Sequence, residues 1–234
     1  QMIVQPALTA ECLSLSFRNG LRLFSSDSTT VLHDVSFSVA RGETFGVVGG
    51  NGAGKSTLLR VLAGIYQPTS GRLSKSVSSV SLLNLQLGFD ENLDARDNIV
   101  LSGMLMGLSR KRMREISDEV VDYAELDASA SVPVRSYSTG MKARLGFAIS
   151  KFSRPDVILL DEVLSVGDGH FREKAESTMR EMMAGNQTVV FVSHDSGRVR
   201  ELCSRVCWLK EGRVQMLGPA GEVMDAYDKY ILRK

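Results

Sequence analysis

Residues 49–56 read Gly49-Gly50-Asn51-Gly52-Ala53-Gly54-Lys55-Ser56, a glycine-rich run of the form G-x-x-x-x-G-K-[ST]. Glycines let the backbone turn so that successive N–H groups converge on one point. A helix opening near Lys55 adds its positive end, so phosphate is the natural occupant. The apolar run Thr44–Val48 predicts a short strand feeding the loop, and Lys55–Gly64 has helical periodicity with Gly64 as its end. That strand–loop–helix context stands against a tight turn that binds nothing. Gly49, Asn51, Gly52, Ala53, Gly54, Lys55, Ser56 and Thr57 are therefore expected to hold a nucleotide. Lys55 would reach its β- and γ-phosphates, and the Ser56 hydroxyl would ligate Mg²⁺.

Outward from the loop, short β-rich runs alternate with helices, the pattern of a parallel sheet covered on both faces. Leu13, Leu15 and Phe17 alternate as on one face of a strand, and Val31–Val39 reads as a second. Arg41-Gly42-Glu43 reads as a turn. Val157–Leu160, Thr188–Val192, Val206–Leu209 and Arg213–Leu217 are the later strands. Helices are expected near Phe171–Ala184, Ser196–Leu202 and Gly221–Leu232. From about Leu93 to Val132 the pattern turns helical, with Ile99, Met104, Leu105, Ile116, Val120 and Tyr123 as expected core positions. The chain thus reads as an α/β core carrying a helical insertion.

Val157-Ile158-Leu159-Leu160 runs into Asp161-Glu162, an apolar strand ending in two carboxylates. Ligands of α/β sheets sit at the carboxyl ends of the strands, so both acids should face the nucleotide. Asp161 suits the Mg²⁺-holding role and Glu162 that of general base or water-orienting group. Phe191-Val192-Ser193-His194-Asp195 repeats the arrangement. There His194 would hydrogen-bond a γ-phosphate oxygen and Glu162.

Composition narrows the class. The 234 residues are 43% hydrophobic and 24% charged, with a formal net charge of +1. That is an ordinary globular balance, and it offers no bulk electrostatic pull toward nucleic acid. No apolar run approaches the roughly 20 residues of a spanning helix. The start, QMIVQPALTAE, has no basic stretch leading into a long apolar one, so no secretory signal is expected. Cys12, Cys203 and Cys207 form no disulfide framework, which suits a reducing cytosol; Cys203 and Cys207 read as buried free thiols.

Tyr137-Ser138-Thr139-Gly140-Met141-Lys142 opens a helix running to about Phe152. It resembles the Leu-Ser-Gly-Gly-Gln signature of ABC-type ATPases. With the phosphate loop, Asp161-Glu162, Ser165-Val166-Gly167-Asp168 and His194, the resemblance covers nearly the whole chain. Tyr137, Thr139 and Met141 depart from the usual signature in a way that is similar to the subgroup exporting lipid-linked polysaccharides. That subgroup includes O-antigen, capsule, teichoic-acid and galactan exporters. Gly167-Asp168, Ser193-His194-Asp195, "RELCSRVCWLKEGRV" and "GLSRKRM" (107–113) resemble it too.

The resemblance implies a P-loop fold with a parallel-sheet core, an antiparallel β subdomain and a helical subdomain near 93–152, all one nucleotide-binding domain over 1–234. It implies a head-to-tail homodimer holding ATP and Mg²⁺, each ATP gripped by one phosphate loop and the partner's Ser138, Thr139, Gly140 and Met141. Asp168 would lie at the dimer seam. A separate multi-span permease, docked through the helical subdomain and the Gln86–Asp90 loop, would place the chain at the cytoplasmic face of the cell membrane. Gln86 would sense the γ-phosphate and Mg²⁺. Phe17, with Phe24 as second choice, would stack on adenine, core packing being the other account of Phe17. Arg110, Lys111, Arg112 and Arg114 read as a solvated face or as a contact for anionic lipid or substrate. Some exporters of the subgroup carry a further C-terminal carbohydrate-binding domain; these 234 residues end soon after the helix near Leu232.

Two other classes compete. A soluble ABC-type ATPase acting on ribosomes or DNA usually has two nucleotide domains or a long coiled-coil insertion, whereas one phosphate loop and near-neutral charge stand here. A small-molecule kinase would leave the signature helix and His194 unexplained.

Overall fold

A computed structural model describes residues 5–18, 28–83, 89–161 and 169–232. The chain divides into two compact units, one of residues 1–77, 157–162 and 183–234, the other of 78–156 and 163–182.

In the first unit β3 (Thr44–Val48) is buried at every position. It lies parallel between β7 (Thr188–Val192) and β8 (Arg205–Lys210), with β6 (Val157–Leu160) parallel beyond β7. Strands buried on both faces have no reason to alternate, which is why they read as continuous apolar runs. β9 (Arg213–Pro219) departs from that plan. It turns back antiparallel on β8, and its positions alternate between half-buried and exposed. Helix α1 (Lys55–Ala63) buries Leu58, Leu59, Val61 and Leu62 and stops at Gly64, whose N–H donates to the carbonyls of Arg60 and Val61. Each such aliphatic side chain contributes about 1.5–3 kcal/mol by leaving water. Helices α7 (Ser196–Leu202) and α8 (Ala220–Ile231) complete the layer. Trp208 of β8 is buried with its ring edge-on to Tyr227 of α8 at 5.5 Å.

A second sheet in this unit is antiparallel, ordered β2 (Ser28–Val39), β1 (Leu8–Arg18), β4 (Ser70–Lys75). Cys12 and Asp34 take positive φ values of 48° and 54° at irregularities in the β1–β2 ladder. The amides freed there are met by hydroxyls: Cys12 N–H donates to Ser36 Oγ and Asp34 N–H to Ser14 Oγ, each at 2.9 Å.

The second unit contains β5 (Val80–Leu83), α2 (Ala95–Leu105), α3 (Arg110–Glu115), α4 (Ser117–Tyr123), α5 (Thr139–Ser153) and most of α6 (Gly169–Ala184). Ile99, Met113, Ile116, Val120, Leu145 and Ile149 form its core. Met104 and Leu105 do not join it; they are 51% and 71% exposed. The inner face of α2 instead follows Ala95, Asn98, Ile99, Ser102 and Gly103, a stripe at helical spacing that includes small and polar residues. Met113 lies so close to Gly103 that any side chain there would strike it. Packing, rather than apolarity, set the phase of the helix. Among the described residues no helix is long and apolar enough to cross a membrane.

Candidate functional site

Strand register gathers the first group of residues. Leu160 of β6 pairs with Phe191 of β7, and Phe191 pairs with Gly46 of β3. The segments leaving β6, β7 and β3 therefore emerge side by side at the carboxyl end of the sheet. They are Asp161, Ser193-His194 and the phosphate loop. Asp161 is half-buried, Ser193 buried and His194 exposed. The Ser193 hydroxyl accepts from the Asp195 N–H at 3.0 Å, and the Asp195 carboxylate caps α7 by accepting from the N–H groups of Gly197 and Arg198. Asp195 is thus held as a helix cap, leaving His194 as the side chain at the strand end.

The loop itself is shaped by backbone. Gly54 takes φ 99°, a left-handed conformation, and a Cβ there would lie 2.9 Å from Leu32 of β2. Lys55 Nζ donates to the carbonyls of Gly49 at 2.8 Å and Gly50 at 2.9 Å, which holds the ammonium over the loop. Ser56 is exposed at the first turn of α1. One support was missing from the sequence reading: the β8–β9 turn. Its Gly212 donates its N–H to the Ala53 carbonyl at 3.1 Å and accepts from the His33 N–H at 2.8 Å, tying the loop to β2. Glu211 and Gly212 both have positive φ, and the turn residues Glu-Gly were the only available signal.

Phe17 of β1 is 37% exposed and meets Tyr66 edge-on, centroids 5.3 Å apart. Two residues before it, Leu15 pairs with Leu32, the residue that touches Gly54. Phe17 is thus a partly open aromatic on β1, paired with Thr29 of β2, with Tyr66 buttressing one side.

In the second unit Ser138 is the N-cap of α5, its hydroxyl accepting from the Met141 N–H at 3.2 Å. Ser138 and Thr139 are exposed, and Gly140 and Met141 half-buried. An exposed first turn on a 15-residue helix offers N–H groups and a positive end to an anion. Tyr137 anchors the turn from below: it is buried, and its hydroxyl donates to the Ser129 carbonyl at 2.6 Å. Burial pushes the Tyr137 phenol up from its ordinary pKa, so it stays neutral. Asn98 was not foreseen as more than helix interior. Its amide binds the carbonyls of Asp90, Leu93 and Asp94, and its oxygen accepts from the Asp90 N–H at 2.8 Å. That fixes the segment following residue 88. Arg110, Lys111, Arg112 and Arg114 are all exposed around buried Met113. Gln86, Glu162, Asp168 and Phe24 lie outside the described residues.

Ser56 and Asp161 supply hard oxygen donors, the ligand type Mg²⁺ takes. Cys203 and Cys207 are buried, and burial lifts both thiols to about 12, with the Glu43 carboxylate adding to the effect at Cys203.

Residues 32–165 match the family model described as ABC transporter. The chain is 37% identical over 210 residues to the O-antigen export system ATP-binding protein RfbB of Klebsiella pneumoniae, covering 90% of this chain and 85% of that protein. It is 40% identical over 200 residues to the teichoic acids export ATP-binding protein TagH of Shouchella clausii, covering 86% of this chain. The matched region spans only 55% of that second relative's length. A dimeric ATP-binding cassette in a post-hydrolysis state, bound to ADP and Pi, has the same fold. It superposes with a TM-score of 0.74 at 21% identity, over 91% of this chain and 98% of that one.

Proposed function

The chain belongs to the ABC transporter family, and from that premise we propose that it is the ATP-binding and ATP-hydrolysing subunit of an exporter moving a lipid-linked polysaccharide. The observation that carries the ATPase reading is the meeting of phosphate loop, Asp161 and His194 at one end of the sheet. The exporter reading rests on the likeness to O-antigen and teichoic-acid export proteins. The two compact units act together as one nucleotide-binding domain over 1–234, and two copies of the chain pair head to tail around two ATP molecules.

The chemistry follows from the residues. ATP phosphates enter the cradle of N–H groups from Gly52 to Lys55, with Gly49, Asn51 and Thr57 bordering it. The Lys55 ammonium exchanges its carbonyl partners for the β- and γ-phosphates. Ser56 and Asp161, with Gln86, would hold Mg²⁺, which when bound neutralises charge on the β- and γ-phosphate oxygens. Glu162 orients the attacking water and takes its proton, while His194 holds a γ-phosphate oxygen and keeps that water aligned. Across the dimer, Ser138, Thr139, Gly140 and Met141 of the partner close over the γ-phosphate with the positive end of α5. Phe17 stacks on adenine, and Asp168 sits at the seam. ATP then clamps the pair and hydrolysis releases it. The export complex contains a separate membrane permease, holds this chain at the cytoplasmic face of the cell membrane, and uses no nucleic acid.

The test is to trap tagged Glu162→Gln with ATP in native cells, extract gently and identify what co-purifies. The substitution should keep ATP binding and dimerisation while lowering turnover about 10²–10⁴-fold, the usual contribution of a general base. A multi-span permease with a polyprenyl-linked glycan is the expected companion. Ribosomal proteins or nucleic acid without a membrane protein would overturn the export reading and leave the ATPase standing.

A further inference from the structure

The corner that ends α4 carries a charged side chain on a left-handed backbone, as Arg154 does at the end of α5. Tyr123 closes the helix, and Glu125, two residues on, takes φ 58°. Glycine adopts that left-handed conformation freely, whereas a side chain there costs about 1–2 kcal/mol. A strained glutamate invites the question of what its carboxylate does.

It binds two helices at once. Arg144 of α5 reaches Glu125 at 3.4 Å, and Lys174 of α6 at 3.1 Å, with His170 of α6 at 3.8 Å. Lys174 also donates to the Tyr123 carbonyl at 2.9 Å and sits 4.4 Å from the centre of the Tyr123 ring. The Tyr123 hydroxyl shares a hydrogen bond of 2.6 Å with Thr178, a turn further along α6. From α5, Lys151 lies 3.8 Å from the same ring centre and Phe147 stacks beside it. Residues 170, 174 and 178 share one face of α6, and 144, 147 and 151 one face of α5. Both faces close on the corner, with aromatic, cation–π, ionic and hydrogen-bonded contacts combined.

These helices have distinct duties. α5 carries Ser138–Met141 at its start, and α6 begins at Gly169, directly after the stretch holding Glu162 and Asp168. We propose that Tyr123, Glu125 and Lys174 form a positioning clamp that moves α5 and α6 as one body, coupling the signature residues at the start of α5 to the start of α6, which follows Asp168 in sequence. The inference rests on the ATPase reading above. In a head-to-tail pair the signature serves the partner's ATP, while Glu162 serves the chain's own. The clamp therefore couples the two sites without touching either ATP.

The experiment compares ATP hydrolysis by the full chain with Lys174→Met, Lys174→Arg and Glu125→Gln. Lys174→Met and Glu125→Gln should each lower kcat about ten-fold and bring the Hill coefficient for ATP toward 1, within the usual range of coupling between sites. KM and the affinity for a single fluorescent ATP analogue should stay within about two-fold, and Lys174→Arg should restore most of the rate. Parental kcat and cooperativity in both variants would overturn the clamp. So would losses of analogue binding and melting temperature that track the loss of rate in both, since they mark plain structural support. A parental chain that binds the analogue but does not hydrolyse ATP would instead overturn the ATPase reading on which the clamp depends.

Discussion

The phosphate end of the first unit and the Tyr123 corner of the second hold their residues by opposite means. At the phosphate end, shape comes from backbone: a left-handed Gly54, carbonyls gripping Lys55 and a hydrogen bond from Gly212. At the corner, shape comes from side chains, with one carboxylate, one phenol and several cations joining helices distant in sequence. Backbone sites are fixed by local residue choice and bind groups of fixed charge, such as phosphate. Side-chain sites are tuned by pairwise interactions and suit transmission rather than recognition.

Two glycines give the sharpest way to break that contrast. Gly54→Val forces a branched residue into φ 99° and against Leu32, so ATP affinity should drop by roughly ten-fold or more as the strain distorts the cradle. Gly103→Ala should act on fold alone. Its Cβ would enter the space of Met113 in the second unit, lowering stability by about 1–3 kcal/mol in urea melts while leaving ATP affinity of the folded protein unchanged. Equal effects of the two on ATP binding would erase the distinction.

Phe17 tests the border of the phosphate end. Phe17→Ala should raise KM for ATP several-fold through lost stacking, worth about 0.5–1.5 kcal/mol, and Phe17→Trp should preserve it. An unchanged KM would assign Phe17 to packing against Tyr66. The smallest effect concerns thiols. Burial disfavours the charged thiolate, so Cys203 and Cys207, lifted to about 12, stay protonated near pH 8. Native chain should react with one equivalent of iodoacetamide, at exposed Cys12, and unfolded chain with three.

How much was legible in the sequence follows the same divide. The bounds of β3, β6 and β7 and the start of α1 agree with their apolar runs and glycine punctuation. The helix expected to open at the signature agrees with α5, which starts at Thr139 and is capped by Ser138. Met104 and Leu105 were misplaced in the core because apolarity does not reveal that Gly103 makes room for Met113. The corner was hidden for a deeper reason: Glu125, Arg144 and Lys174 are ordinary surface residue types, and only tertiary contact makes them a set. Gly212 and Asn98 were hidden likewise, since their work is done through hydrogen bonds to distant backbone.

The central claim is that one chain's phosphate loop and another's signature make a single ATP site. Lys55→Ala and Ser138→Arg should each be inactive as purified chains. Mixed, they form heterodimers in which one site carries both defects and the other carries none. The account predicts recovery of activity up to about a quarter of the parental ATPase rate, because random pairing makes half the dimers mixed, each has one intact site, and coupling to the dead site lowers its rate further. No recovery from a mixture shown to form heterodimers would contradict it.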